Sequence, residues 1–129
     1  MSIYRHSTTE NASKPAGAYS QGIVAGGMLF TAGLGPQDPA TGAVVGESIE
    51  EQTAQVTRDL QGVLGAHGLG FSHVVRATVH LQELLRDFSG FNATYEKFVS
   101  APYPVRTTVG SNLANILVEI DVIALVPES

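Results

Sequence analysis

Residues 116–126 read ILVEIDVIALV, and this stretch decides the fold. Its β-branched and apolar residues predict a strand, whose side chains alternate between two faces. One face carries Glu119 and Asp121 between apolar neighbours, which indicates a subunit interface or a pocket instead of a solvated surface. The opposite face is uniformly apolar and suited to packing against helices; it holds Ile116, Val118, Ile120, Val122, Ala124 and Val126.

The N-terminal half predicts a hairpin followed by a helix. Gly26 and Gly27 separate two short apolar segments, YSQGIVA and MLFTAG, as a tight turn between strands would. Ser48 and Glu51 have the spacing of a capping box, and apolar residues recur on one helical face after them. We therefore expect a helix over residues 48–67.

The C-terminal half predicts a strand, a second helix and a further strand. Residues 73–82 alternate between apolar and polar side chains, residues 87–99 have helical periodicity with Asp87 as the N-cap, and residues 105–109 are extended. Helices and strands are not evenly interleaved, which predicts an α+β fold with two helices on one face of a mixed sheet. If the two strands are neighbours, the second helix is their parallel crossover. Its aromatic stripe is assigned to the core: Phe88, Phe91, Tyr95 and Phe98.

A charged group is predicted near the C-terminus. Arg106 and Thr108 share one face of their strand, so the sequence allows them to project from the same side of the sheet as Glu119 and Asp121. Two interpretations stay open. The arginine and a carboxylate can form an ion pair that merely neutralises a subunit interface. Alternatively, Arg106 is a planar fork for a ligand carboxylate, and a nearby acid handles protons or orients water.

Composition narrows the class of function. The 129 residues carry a net charge of −5 and no cluster of Lys and Arg, which argues against nucleic-acid binding and against an anionic membrane surface. There is no Cys, and the four His lack ligand spacing, so we expect no metal site. Only 15% of residues are charged, which favours an oligomer. No segment has the apolar length of a signal peptide or membrane span, so we expect a cytoplasmic protein.

Five segments resemble the signature blocks of a known family, in order and at nearly the same spacing: PAGAYSQG, TAGLGPQDPATGAV, NATYEKF, PVRTTV and LVEIDVIALVP. The family is that of the reactive intermediate deaminases, the Rid or YjgF family. The resemblance covers almost the whole chain, and its most specific part is the Pro-x-Arg-x-x-Val block followed by Val-Glu-Ile-Asp. It implies a single RidA-like domain over residues 1–129.

The resemblance also implies an architecture and an activity. The fold would be of the chorismate-mutase-like, YjgF type, a mixed six-stranded sheet with two helices packed on one face, assembled as a homotrimer. Strand 73–82 would lie between the Arg106 strand and the Glu119 strand. Family members deaminate short-lived 2-imino and enamine acids, such as 2-aminoacrylate, in clefts between subunits and without a cofactor.

Site residues follow from the resemblance position by position. Arg106 matches the family arginine that binds the substrate carboxylate, and Glu119 matches the acid that activates water or serves the departing amine. Tyr19 would line the cleft, and Gly33 would present its backbone to the substrate. Thr108 stands where many members have Cys or Ser, and it would offer a hydroxyl to the substrate.

Some positions depart from the family pattern or receive no role. Ala32 replaces a common serine, and the segment 110–115 is shorter than usual. Asn92 belongs to a recurrent motif, but its predicted place at a helix start allows a purely structural role, so it is left out of the site. Asp121 receives no chemical role.

Two other functions stay open. A non-catalytic trimer that binds small carboxylates, as a sensor or a stress-protective protein, would need Arg106 but not Glu119. Ribonuclease or translation-inhibitor activity, a label also attached to the family, is disfavoured by the acidic composition.

Overall fold

Six strands form one mixed sheet, and two helices cover one of its faces, which confirms the predicted α+β class. The computed structural model describes residues 4–127. A short 3-10 turn, Phe71–His73, precedes the fourth strand. The elements are β1 (Tyr4–Ser7), β2 (Gly22–Ala25), β3 (Met28–Thr31), α1 (Ile49–Gly65), β4 (Val74–Leu81), α2 (Leu84–Tyr95), β5 (Val105–Gly110) and β6 (Val118–Leu125).

The strand order is β1-β2-β3-β6-β4-β5, with β4 between the two strands that carry the predicted site. β4 pairs in parallel with β5 and antiparallel with β6. The helix α2 joins β4 to β5, so it is the predicted crossover between parallel neighbours. The central place of β4 agrees with the family resemblance and excludes a hairpin between β5 and β6.

The hydrophobic core lies between the sheet and the helices. We call this side of the sheet the helix-covered face and the other side the open face. The alternation of β6 is confirmed, because Val118, Ile120, Val122 and Ala124 are buried against the helices. Full burial of one such side chain contributes about 1.5–3 kcal/mol, so this strand anchors the fold.

The first helix begins as predicted. The backbone N–H of Glu51 donates to Ser48 Oγ at 3.1 Å, and the N–H of Ser48 donates to Glu51 Oε1 at 3.2 Å. These two bonds form the expected capping box. Helix α1 ends at Gly65, two residues before the predicted end.

The second helix begins three residues earlier than predicted. Glu83 is the N-cap residue but makes no capping bond through its side chain, so no cap signal marks the true start. Asp87 is not the cap: it lies in the first turn and pairs with Arg86, with Nε and Oδ1 2.9 Å apart. The aromatic stripe is confirmed as core only in part, since Phe91 and Tyr95 are buried whereas Phe88 is 40% exposed.

The predicted hairpin is confirmed, and β1 was missed. Gly26 and Gly27 have φ values of +58° and +77°, and Ala25 pairs with Met28 across them. A two-residue turn of this kind needs positive φ at both central positions, which glycine adopts without steric cost. The sequence of β1, YRHS, has no apolar alternation, which is why its pattern did not predict a strand.

The open face is not covered by any element of residues 4–127, although it is rich in apolar side chains. Phe30, Val105, Val109 and Leu125 are all exposed there. Polar side chains of β4, namely Arg76, Thr78 and His80, separate the two exposed valines of β5 from the apolar residues of β3 and β6. Exposed apolar side chains on an uncovered sheet face are typical of a protein–protein interface. Within the same residues, neither helix is long and apolar enough to cross a membrane.

Candidate active site

Arg106 and Glu119 lie on opposite faces of the sheet, so the prediction that they share a side is wrong. In the strand register, Arg106 is level with Ala77, and Ala77 is level with Val122. Residues at the same level point to the same side, and Ala77 and Val122 are buried beneath the helices. Glu119 and Asp121 therefore face the other way. Alternation shows which residues of one strand share a face, but it does not show which faces of two strands lie on the same side of the sheet. The sequence alone therefore could not place Arg106 relative to Glu119.

Arg106 is held by α2. Its Nη2 donates to Asn92 Oδ1 at 2.7 Å. Three aromatic rings surround the guanidinium carbon, at distances from the ring centroids of 5.1 Å for Tyr95, 5.3 Å for Phe91 and 6.0 Å for Phe88. Each ring face attracts a cation, so these contacts stabilise the charged side chain in one orientation.

Asn92 contacts Arg106, but the sequence reasoning left it out of the candidate site. Its assignment to a helix start is wrong, because α2 already begins at Leu84. Asn92 follows Phe88 by four residues and precedes Tyr95 by three, so it shares the helical face of the aromatic stripe. A lone amide within an aromatic stripe was the signal that could have identified it.

The guanidinium of Arg106 has no carboxylate partner within residues 4–127. The only ion pair within residues 4–127 joins Arg86 and Asp87, so the interpretation of Arg106 as half of an ion pair fails inside one subunit. Two buried hydroxyl oxygens, Tyr95 Oη and Thr108 Oγ1, have no hydrogen-bond partner in the described part of the chain. Burial raises the pKa of Tyr95, and the nearby charge of Arg106 partly offsets the rise. We call these residues of α2 and β5 the guanidinium half-site.

Glu119 lies on the open face against Gly33. A Cβ atom added to Gly33 would lie 2.7 Å from Glu119 Oε2 and 2.9 Å from Cδ, so only glycine leaves room for the carboxylate. The residue after Gly33 is fixed to β6 by two backbone bonds, from Leu34 N to Ile120 O at 2.9 Å and from Ile120 N to Leu34 O at 3.0 Å. The backbone at Gly33 is therefore a rigid floor beneath the carboxylate.

Tyr19, Gly33 and Glu119 line one cavity of about 520 Å³. The sheet supplies its floor, and two loops, 13–19 and 35–42, supply its walls. The hydroxyl of Tyr19 accepts a bond from Ala16 N at 3.0 Å, which folds the first loop back on itself. We call this group the carboxylate half-site, and it unites three of the predicted site residues.

Asp121 lies two residues along β6 from Glu119 and does not line this cavity. Burial raises the pKa of Asp121, while His80 and Arg76 on the neighbouring strand lower it. No group of three or more His, Asp or Glu within residues 4–127 is placed to hold a metal ion.

The two half-sites complement each other but cannot meet within one chain. The first offers a fixed cation and the second an acid in a cavity. Two strand spacings, about 10 Å, separate β5 from β6 laterally, and the sheet itself lies between the side chains. Fold and site together define an α+β protein with the guanidinium half-site and the carboxylate half-site on opposite faces of one sheet.

Comparison with known proteins identifies the family. The family model described as Endoribonuclease L-PSP matches residues 9–126. The chain belongs to this family, which is also called the Rid or YjgF family.

Relatives and solved structures agree with this assignment. A RutC family protein of Saccharolobus solfataricus is 45% identical over 118 residues, which cover 90% of this chain and 93% of the relative. The chloroplastic Reactive Intermediate Deaminase A of Arabidopsis thaliana is 40% identical over 119 residues, or 91% of this chain and 63% of the relative. The crystal structure of E. coli TdcF with bound serine superposes with a TM-score of 0.86 and 27% identity, and covers 94% of this chain and 98% of that chain.

Proposed function

We propose that the protein is a hydrolase that deaminates 2-imino acids and their enamine tautomers to 2-keto acids and ammonia. The observation that carries the proposal is the complementarity of the two half-sites. A guanidinium without an anionic partner in residues 4–127 suits a substrate carboxylate, and a half-buried acid beside a rigid backbone floor suits proton transfer.

We further propose that the two half-sites meet between subunits of a homotrimer. The open face carries exposed apolar side chains, among them Phe30 and Val105, and would be covered by the neighbouring copies. In a ring of identical subunits, the same contact repeats around the axis, so each interface can join Arg106 of one copy to Glu119 of the next. Such a trimer has three equivalent clefts.

Arg106 would bind and orient the substrate. Asn92 occupies Nη2, which leaves the other guanidinium N–H groups for the carboxylate of the imino acid. Two parallel bonds fix that carboxylate in one plane and thereby place the adjacent C=N carbon. Orientation of this kind can lower a barrier by several kcal/mol.

Glu119 would manage the protons. A water oxygen attacks the protonated imine carbon and the C=N π electrons move to nitrogen, while Glu119 takes a proton from the water. Glu119 then returns that proton to the nitrogen of the carbinolamine, and the C–N bond breaks as an oxygen lone pair forms the C=O bond. The products are the keto acid and ammonia, and the hydroxyl proton that is released replaces the one that activated the imine. The reaction consumes one water and is redox-neutral, so it needs no oxidant or reductant.

The comparisons support this chemistry for relatives of the chain. One relative is named a reactive intermediate deaminase, and the structure of another contains serine, a small molecule with a carboxylate. A family description as endoribonuclease points to RNA instead. The net charge of −5 disfavours that alternative, because RNA binding depends on neutralising phosphates.

A non-catalytic carboxylate binder is the second candidate function, since such a binder would need only the guanidinium half-site.

The experiment that separates the two functions measures the release of ammonia and keto acid from 2-iminobutanoate generated in situ. Glu119→Ala should lower kcat roughly a hundred- to ten-thousandfold. Arg106→Ala should lower kcat/KM about a thousandfold or more, because the substrate loses its orientation. Turnover that is unchanged in Glu119→Ala would remove the proposed acid, and binding without turnover by the wild type would favour the second candidate.

A further inference from the structure

We infer that Lys14 forms a second anion subsite in the cavity of Glu119, and that the protein prefers imino acids whose side chain carries its own carboxylate. The inference deepens the proposed function and rests on it. The roles proposed for Arg106 and Glu119 do not depend on the Lys14 subsite.

The cavity is larger than a three-carbon imino acid needs. Its volume is about 520 Å³. Cavities for drug-sized ligands begin at about 300 Å³, so a small imino acid bound beside Glu119 would leave space toward the loop walls. A longer side chain would fill that space.

Lys14 stands in the wall of this cavity, and its ammonium group has no partner within residues 4–127. Of the described residues that line the cavity, Lys14 is the cationic one and Glu119 is the acidic one. Lys14 makes no ion pair and no hydrogen bond with residues 4–127. The ammonium group is exposed, so it can reach a ligand without first breaking an internal contact.

Two acids in neighbouring loops, Asp38 and Glu10, form no ion pair with the ammonium of Lys14. Asp38 Oδ1 accepts bonds from Ala40 N at 2.8 Å and Thr41 N at 3.1 Å, so its carboxylate closes its own turn. The neighbouring cavity also contains Glu10, which lies farther than ion-pair distance from Lys14. Lys14 is therefore free to pair with an incoming anion.

Charge explains why such a subsite would favour substrates whose side chain is acidic. A second carboxylate in this cavity would be repelled by Glu119 and by the overall charge of −5. A cation in the wall attracts an acidic substrate side chain and offsets this repulsion. It does not strengthen the binding of a neutral side chain. With Arg106 of the neighbouring copy on the first carboxylate and Lys14 on the second, an acidic imino acid would be held at both ends.

The test compares 2-iminoglutarate with 2-iminobutanoate, each generated in situ by an amino acid oxidase. We expect Lys14→Met to lower the ratio of their kcat/KM values roughly three- to tenfold, in the range of a partly exposed charged contact. Lys14→Arg should largely keep the ratio. Lys97→Met, which removes an exposed cation outside the cavity, is the matched control and should leave the ratio at the wild-type value. The wild-type ratio should also fall as salt rises.

A second measurement separates this inference from the proposed function. Calorimetric binding of 2-oxoglutarate and 2-oxobutanoate to the wild type and to Lys14→Met needs no turnover. A preference for 2-oxoglutarate that Lys14→Met removes supports the subsite even if neither imine is deaminated, a result that would overturn the proposed function alone. An equal ratio in the wild type and Lys14→Met, in binding and in turnover, overturns the subsite.

Discussion

The two half-sites differ in how many contacts from the same chain hold their charged group in place. Arg106 is fixed from within one subunit by an amide at 2.7 Å and by three aromatic rings. Glu119 lies in a cavity of about 520 Å³ whose walls are loops and whose side of the sheet is uncovered. The chain thus fixes the guanidinium of Arg106 from within and leaves the carboxylate of Glu119 in a cavity on the open face. Assembly would complete it, so activity should depend on contact between copies.

Among substitutions of residues other than Arg106 and Glu119, the largest predicted effect on turnover lies in the carboxylate half-site. Gly33→Ala would place a Cβ 2.7 Å from Glu119 Oε2, so the carboxylate must move. We expect kcat to fall about a hundredfold, because small misplacements of catalytic groups have effects of that size. Steady-state deamination kinetics measure the change.

The matched control is Gly65→Ala at the end of α1, where an added Cβ meets nothing within 4 Å. It should keep full activity. Equal kinetics in Gly33→Ala and the wild type would show that the position of Glu119 above Gly33 is not required.

A smaller effect is predicted in the guanidinium half-site. Asn92→Ala removes one hydrogen bond to Arg106 but leaves the aromatic rings in place. We expect KM to rise roughly five- to tenfold with little change in kcat, because one bond to a charged group positions the fork without entering the reaction. Asn92→Asp should raise KM further, since the new carboxylate would pair with the guanidinium and compete with substrate. A fall in kcat at unchanged KM would contradict this positioning role.

A last prediction concerns the pH dependence of the free energy of unfolding. Asp59 of α1 is fully buried, Gln55 Nε2 donates to its Oδ1 at 3.0 Å, and its Oδ2 has no partner in the described residues. Burial raises the pKa of Asp59 to about 7, and the nearby charge of Asp38 adds to the rise.

The sign of the resulting pH dependence follows from the raised pKa. Between about pH 4 and pH 7 the unfolded chain has lost this proton and the folded chain still holds it, so the free energy of unfolding falls as pH rises. Asp59→Asn keeps an acceptor for Gln55 and cannot ionise. Its stability relative to the wild type should therefore grow by roughly 2–3 kcal/mol from pH 5 to pH 7.5. Urea unfolding at both pH values measures this, with Glu96→Gln, an exposed acid, as the control. A pH-independent difference would show that Asp59 ionises normally in the folded state.

Local features of the fold were predictable from the sequence. The capping box of Ser48 and Glu51, the turn at Gly26 and Gly27 and the alternation of β6 each depend on neighbours close in the chain, and each is confirmed. Features that depend on distant pairing were not. The strand β1 lacks an apolar pattern and exists because it pairs with β2.

The candidate site shows the same division. The grouping of Gly33 with Glu119 came from the family resemblance, and the structure brings the two residues together. The side on which Arg106 lies depends on the register of β5 against β4, which no pattern within β5 contains. The contact with Asn92 depends on where α2 begins, and the absence of a side-chain cap at Glu83 hid that position.

One measurement tests most directly the claim that each cleft combines Arg106 of one subunit with Glu119 of another. Arg106→Ala and Glu119→Ala chains with different tags are co-expressed, and assemblies that contain both are isolated by two successive affinity steps. In a mixed trimer, one cleft of the three receives both intact residues, so we predict roughly a third of wild-type deaminase activity although each variant alone is inactive. Mixed trimers as inactive as their parents would contradict the shared site.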